Sequence, residues 1–222
     1  MSPKATPEKA FRVKPAPHRK GAAATFARTG PITFDEFCVV IKPEQKADLI
    51  DGVIYMASPE NFDAHRLYLW LMKLFMEFVE RSDLGEVFGS RAAFKMDEKN
   101  SPEPDIAFVR KDRLHLVRKA HFEGPPDLAI EIVSPESAER DYVKKRALYE
   151  RAGVVEYWII DEELHKVALL RRGRDRKYHE IRPTKGGLHS QVLPGFWLKP
   201  EWLWAKPRAN TTKLLLQMLS AS

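Results

Sequence analysis

Residues 125–161, PPDLAIEIVSPESAERDYVKKRALYERAGVVEYWIID, constrain the fold of this chain more than any other stretch. Apolar runs at 128–133 and 155–160 bracket a charged segment, 136–152, that reads as a helix. Strand, helix and strand in that order make a βαβ unit. Its first strand carries one carboxylate, Glu131, among Leu128, Ala129, Ile130, Ile132 and Val133. An unpaired charge there costs several kcal/mol, so Glu131 needs a partner. The nearest upstream charged candidate is Asp105, which precedes another apolar strand in SPEPDIAFVR.

A chain of 222 residues is long enough for one sizeable core, which predicts one domain with tails. Residues 1–30 read as a flexible basic arm rather than a signal peptide, with Lys4, Lys9, Arg12, Lys14, Arg19, Lys20 and Arg28 available to phosphates. Residues 31–205 form the expected body. The remainder, 206–222, is a tail whose TTKLLLQMLS reads as a short amphipathic helix able to dock on the body or on a second subunit of a homodimer. Lys and Arg total 37 against 31 Asp and Glu, a net charge of +6, which permits a polyanionic partner without requiring one. The single cysteine, Cys38, excludes an intrachain disulfide and points to a reducing, cytoplasmic setting; it is expected in the core. No apolar run approaches the roughly 18 residues of a membrane span.

Thr33 followed by Glu36 is a capping-box signature for a short helix. In ADLIDGVIYMA, Asp51-Gly52 separates two alternating apolar halves and signals a tight hairpin with Asp48 on its first strand. Leu67, Trp70, Leu71, Leu74, Phe75, Phe78 and Val79 recur at three- and four-residue steps, predicting a long helix over 61–82 that covers a sheet. One strand is expected over 86–96, then DIAFV, then a mixed connection with a helical turn over 111–124. Beyond Asp161, KVALLRR and KYHEIRP read as antiparallel strands. Trp202 and Trp204 are expected in the core or at a subunit contact rather than as platforms for bases.

Asp48, Asp105 and Glu131 thus fall on or beside successive strands. Brought together, three carboxylates repel unless a cation intervenes, and hard oxygen ligands suit Mg²⁺ or Mn²⁺. No Cys or His cluster offers a zinc site. On the following helix, Lys145 shares a face with Leu148, Tyr149 and Ala152, while Lys144 falls with Arg140 and Arg151 on the outward side. An inward lysine is placed to orient water or to stabilise developing phosphoryl charge.

The ordered segments from Asp48 to His65, then EPDIAFV, PPDLAIEIVSPES, RDYVKKRALYERAGVVEYWIID and VLPGFWL resemble the Uma-two-type endonuclease family of the PD-(D/E)xK superfamily, over about residues 31–205. The resemblance implies an α/β restriction-endonuclease-like fold, a central mixed sheet flanked by helices, and Mg-dependent hydrolysis of nucleic acid, DNA favoured, to a 5′-phosphate and a 3′-hydroxyl. It places the motif's PD at Pro104-Asp105 and its acid at Glu131. Two departures stand out. Val133 occupies the strand position of the superfamily lysine, which relatives supply from the next helix, as Lys145 does here. Asp48 stands where the family usually has Glu, so its part in metal binding differs in reach.

For Asp105 and Glu131 the bland alternative is a structural ion pair; for Lys145, a solvated helix lysine; for Asp48, a polar residue beside a turn. His65 and Tyr149 are candidates for supporting contacts, with helix packing and a buried structural hydroxyl as their alternatives. At the level of function, the rivals to a nuclease are a nucleic-acid-binding or scaffolding protein that has lost cleavage, and a phosphoesterase acting on small nucleotides.

Overall fold

The structure, a computed structural model, describes residues 30–42, 44–57 and 61–220. The expected basic arm, apart from Gly30, lies outside the described residues. Helix α1, Phe34–Val40, opens on the capping box: Glu36 N donates to Thr33 Oγ1 at 3.4 Å and Thr33 N donates to Glu36 Oε2 at 2.9 Å. Phe34 and Phe37, one turn apart, set its buried face. Cys38, one step beyond, is exposed, which corrects the expectation that it is core.

Strands β1, Ala47–Ile50, and β2, Val53–Met56, form the hairpin across Asp51 and Gly52, whose φ values of 49° and 73° are those a two-residue turn of this hand requires. Helix α2, Phe62–Arg81, is capped by Asn61, whose side chain accepts from Ala64 N at 2.8 Å. Its Leu67, Leu71, Leu74, Phe75, Phe78 and Val79 are all buried, each contributing about 1.5–3 kcal/mol by removal from water.

The single strand expected over 86–96 is two. Strand β3, Gly85–Gly89, joins the main sheet, and after a turn at Arg91, with φ 75°, strand β4, Phe94–Lys95, leaves it. Strand β5, Ile106–Arg110, and the 3₁₀ turn Lys111–Leu116 follow, then β6, Phe122–Glu123, which pairs with β4. The βαβ unit is β7, Leu128–Val133, a π-helical turn Arg140–Lys145, helix α3, Arg146–Ala152, and β8, Glu156–Asp161. Gly153, at φ 93°, terminates α3 in the left-handed region. Strands β9, Lys166–Arg172, and β10, Tyr178–Ile181, are antiparallel, as expected. A small pair β11, Leu188–His189, and β12, Trp197–Leu198, precedes α4, Pro200–Trp204, and α5, Thr211–Ser220.

The main sheet has the order β10-β9-β8-β7-β5-β3, with β7 and β8 parallel and its other pairs antiparallel. Alternation along β7 then assigns each side chain to a layer. Leu128 and Ile130 pack with α2, α5, Trp158 and Phe196. Ala129 and Val133 pack with Leu148, Tyr149 and Tyr157 on the other face. Glu131 takes its place on that second face by the same alternation, beneath the βαβ helix.

Candidate active site

Four segments deliver charged groups to the second face. The antiparallel register pairing Ile106 with Ile130 sets Asp105, one residue before β5, across from Glu131. Asp105 Oδ2 accepts from Ile132 N at 2.7 Å, and its Oδ1 is held by the Lys46 ammonium. Glu131 finds its partners in the following helix rather than upstream: Oε1 lies 2.9 Å from Lys145 Nζ and accepts from Tyr149 Oη at 2.7 Å. Lys145, 1% exposed, also lies 3.0 Å from Asp48 Oδ2. It bridges the hairpin and the sheet.

The hairpin is fixed by a spatial neighbour some fifty residues on, residues 99–103. Leu49 N and Ser101 N donate to each other's carbonyls at 3.1 and 2.8 Å, Glu103 N donates to Asp48 Oδ1 at 2.8 Å, and Ala47 N donates to Glu103 Oε2 at 3.1 Å. Period-two alternation turns Lys46 and Asp48 the same way along this extended segment.

Arg140 was expected to face outward, and it faces in. Its Nε lies 3.3 Å from Asp48 Oδ2, and the residue is 8% exposed. The cause is the π-helical turn, whose i→i+5 bonding brings residues five apart to one face, so Arg140 and Lys145 meet the same carboxylate. Lys144 does face outward, pairing with Glu139 at 2.9 Å. Asp141, also buried, accepts from Ser137 Oγ at 2.6 Å through Oδ2, while its Oδ1 makes no hydrogen bond to a described residue and lies 3.9 Å from both Lys145 and Arg140.

Among the described residues of the cluster acids outnumber cations: Asp48, Glu103, Asp105, Glu131 and Asp141, all buried, face Lys46, Arg140 and Lys145. The imbalance appears as protons held where carboxylates would ordinarily lose them. Burial, reinforced by Asp105, Asp141 and Asp48, pushes Glu131 up to about 8 against the pull of Lys145. Burial likewise raises Glu103 to about 7 and Asp141 to about 6. Asp48 goes the other way: burial opposes its charge, but Lys145, Arg140 and Lys46 prevail and hold it below the usual carboxylate range. Burial would strip Lys145 of its proton, yet Asp48, Glu131 and Asp141 outweigh burial and keep it firmly an ammonium.

The cluster is not sealed. Lys46, Asp48, Asp105, Glu131, Arg140, Asp141 and Lys145 all line a cleft of about 910 Å³, whose lip carries the first turn of α2 and the residues around Glu162 and Trp204. His65 is exposed on α2 with its ring 6.1 Å from that of Tyr68, and it does not line the cleft. Trp204, expected in the core or at a subunit contact, also lines this cleft, with its ring stacked on His165.

Comparison with known proteins bears on the family and the fold. A family model described as "Putative restriction endonuclease", Uma2, matches residues 33–201. The chain belongs to the Uma2 family. A crystal structure described as a putative nuclease belonging to DUF820, from Anabaena variabilis, is similar with a TM-score of 0.65, over 78% of this chain and 98% of that one. At 19% identity the likeness is one of fold: a mixed central sheet flanked by helices. No curated protein sequence matches the chain.

In this Uma2 chain, four charged residues of the cluster escaped the sequence reading: Lys46, Glu103, Arg140 and Asp141. Three of them had a signal. Lys46 stands two before Asp48 and Glu103 two before Asp105, the spacing that puts both members of each pair on one face of an extended segment. Asp141, four before Lys145, had the helical equivalent. Arg140 had none, because a regular helix turns it away.

Proposed function

We propose that this protein is a metal-dependent endonuclease that hydrolyses phosphodiester bonds of nucleic acid, DNA by preference, with Mg²⁺ or Mn²⁺. The observation that carries the reading is the bridging of Asp48 and Glu131 by Lys145 on the wall of an open cleft that Asp105 also lines. Structural ion pairs alone do not call for such access.

The donor set fits a hard cation. The buried acids exceed the cations, and Asp141 Oδ1 is left without a hydrogen bond. Among the described residues no three acidic, histidine or cysteine side chains form a ligand set, so Asp48, Asp105 and Glu131 together do not make the three-carboxylate site expected from the sequence. Asp105 and Glu131 would hold the ion. When bound, the ion supplies Lewis-acid stabilisation of charge on the phosphoryl oxygens.

The chain's own residues do the positioning. Lys145, locked as an ammonium, donates hydrogen bonds and is no general base; it orients the attacking water and meets charge that develops on phosphoryl oxygens. Asp48 has both oxygens engaged by protein donors, so its part is to aim Lys145 and Arg140 rather than to reach an ion directly. Tyr149 fixes one oxygen of Glu131 and leaves Oε2 without a hydrogen bond to any described residue.

A second reading has its own support: Lys46 on Asp105 and Lys145 on Glu131 make an ion-pair network that stands without added metal, as a protein that binds nucleic acid but no longer cuts it would have. Assay of purified protein on linear and circular DNA and on RNA, with and without Mg²⁺ or Mn²⁺, separates the two. The nuclease reading expects ion-dependent cutting that Asp105→Ala and Glu131→Ala abolish. Equal cutting by all three preparations, or none by the unaltered protein, overturns it.

A further inference from the structure

The lip of the cleft carries aromatic rings that the chemistry at its floor does not use. Phe62, the first residue of α2, is 80% exposed yet lines the cleft. Trp204, the last residue of α4, lines it too, and the exposed His165 ring lies against the indole at 5.3 Å and 17°. His165 sits at φ 48°, a left-handed conformation in the β8–β9 turn. Two ion pairs tie these three segments around the opening. Lys206, just past α4, reaches Asp63 beside Phe62 at 2.9 Å, and Arg208 reaches Glu162 of the turn at 2.8 Å. Single exposed apolar side chains are ordinary on a protein surface. Flat rings gathered on the rim of one cleft, with ammonium and guanidinium groups beneath them, are not.

We propose that this rim is a stacking site for an unpaired base, so that a single-stranded or locally opened nucleic-acid strand is the substrate the cleft admits. The inference rests on the nuclease reading above and specifies its substrate. In a duplex each base face is covered by its neighbours, and a ring on the lip of a concave site has no face to meet. In an unstacked strand every base offers one, and stacking on an aromatic side chain is worth about a 5- to 100-fold gain in affinity per base, independent of sequence. Phe62 and the His165–Trp204 pair would hold such a base while the adjoining phosphate reaches Lys46, Arg140 and Lys145 at the floor.

The test compares two single strands of equal length and charge that differ only in bases, with a duplex alongside. Anisotropy titrations of the full chain, in chelator to prevent cutting, would use labelled oligothymidylate, its fully abasic counterpart and a blunt duplex. Phe62→Ala and His165→Asn are exposed changes, and Asn tolerates the left-handed backbone at 165; Leu216→Ala, exposed on α5, serves as a control for apolar truncation elsewhere. The expected result is oligothymidylate bound about 10-fold or more tighter than the abasic strand, with Phe62→Ala removing most of that preference and Leu216→Ala none. Equal binding of base-bearing and base-free strands, or an equal loss on both in Phe62→Ala, overturns the stacking site while leaving Asp105-dependent cutting intact. Failure to bind any of the three, together with absence of cutting, overturns this inference and the nuclease reading at once.

Discussion

The two faces of the sheet are equally buried and differently built. Beneath α2 and α5 the interior is largely apolar, with Phe75, Trp158 and Phe196 in mutual ring contact at centroid distances of 4.4 to 6.3 Å, and its buried Glu156 is fully met by Arg171, Ser190 and Gln191. Beneath α3 and the β1–β2 hairpin, an apolar half around Tyr149 and Tyr157 gives way at one end to the charged cluster. The same strand, β7, serves both by alternation. One face holds the molecule together, and the other is held open at an energetic cost, with protons and ion pairs standing in for solvent. That contrast predicts that changes on the first face cost stability and spare chemistry, whereas changes on the second cost both.

The largest expected effect is at Lys145. Lys145→Met removes the cation that bridges Asp48 and Glu131, so we expect urea unfolding to show a loss of about 3–5 kcal/mol and Mg²⁺-dependent cutting to fall about 100-fold or more. Full activity in that variant would break the distinction between the faces. On the apolar side, Phe75→Ala should cost about 3–5 kcal/mol in the same unfolding measurement, with the cutting rate per folded molecule unchanged. A proportionate loss of rate would mean that α2 positions the chemistry as well as the core.

A metal titration sharpens the comparison next. Saturating Mg²⁺, at about 100 times its dissociation constant, should stabilise the folded chain by about 2.7 kcal/mol, read as a shift in thermal midpoint, and Asp105→Asn should remove the shift. No shift in the unaltered protein would leave the excess of acids to protons alone. The last test is the pH dependence. Glu103 and Glu131 hold protons up to about 7 and about 8, against 4.5 for an unperturbed glutamate. The folded state therefore binds more protons than the unfolded one between those limits, and metal-free stability should fall as pH rises from about 4.5 through 8, by at most about 1.4 kcal/mol per unit for each group. Glu103→Gln should flatten the part of the slope below pH 7. A rising profile would contradict the charge imbalance.

Much of this arrangement was legible in the chain. The Asp51-Gly52 hairpin, the α2 periodicity and the βαβ unit all read correctly because turn chemistry and apolar spacing are local. Asp105, Glu131 and Lys145 were found by an odd charge in an apolar context together with motif order. What stayed hidden depended on non-local geometry. Phe94 reads as a continuation of β3, yet it packs with Phe122 in a separate two-stranded pair. Trp204 packs against the core as its sequence suggests, but only its place at the end of α4 shows that it also lines the cleft.

The sequence alone settled the layers and the strand carrying Glu131, since period-two and period-3.6 patterns fix which side of each element is apolar. Only the tertiary structure decided who neutralises whom. Lys46, Arg140 and Asp141 join the cluster because a docked hairpin and a π-helical turn aim them there, and a side chain's direction across such a turn follows from backbone bonding that no local pattern of residues encodes.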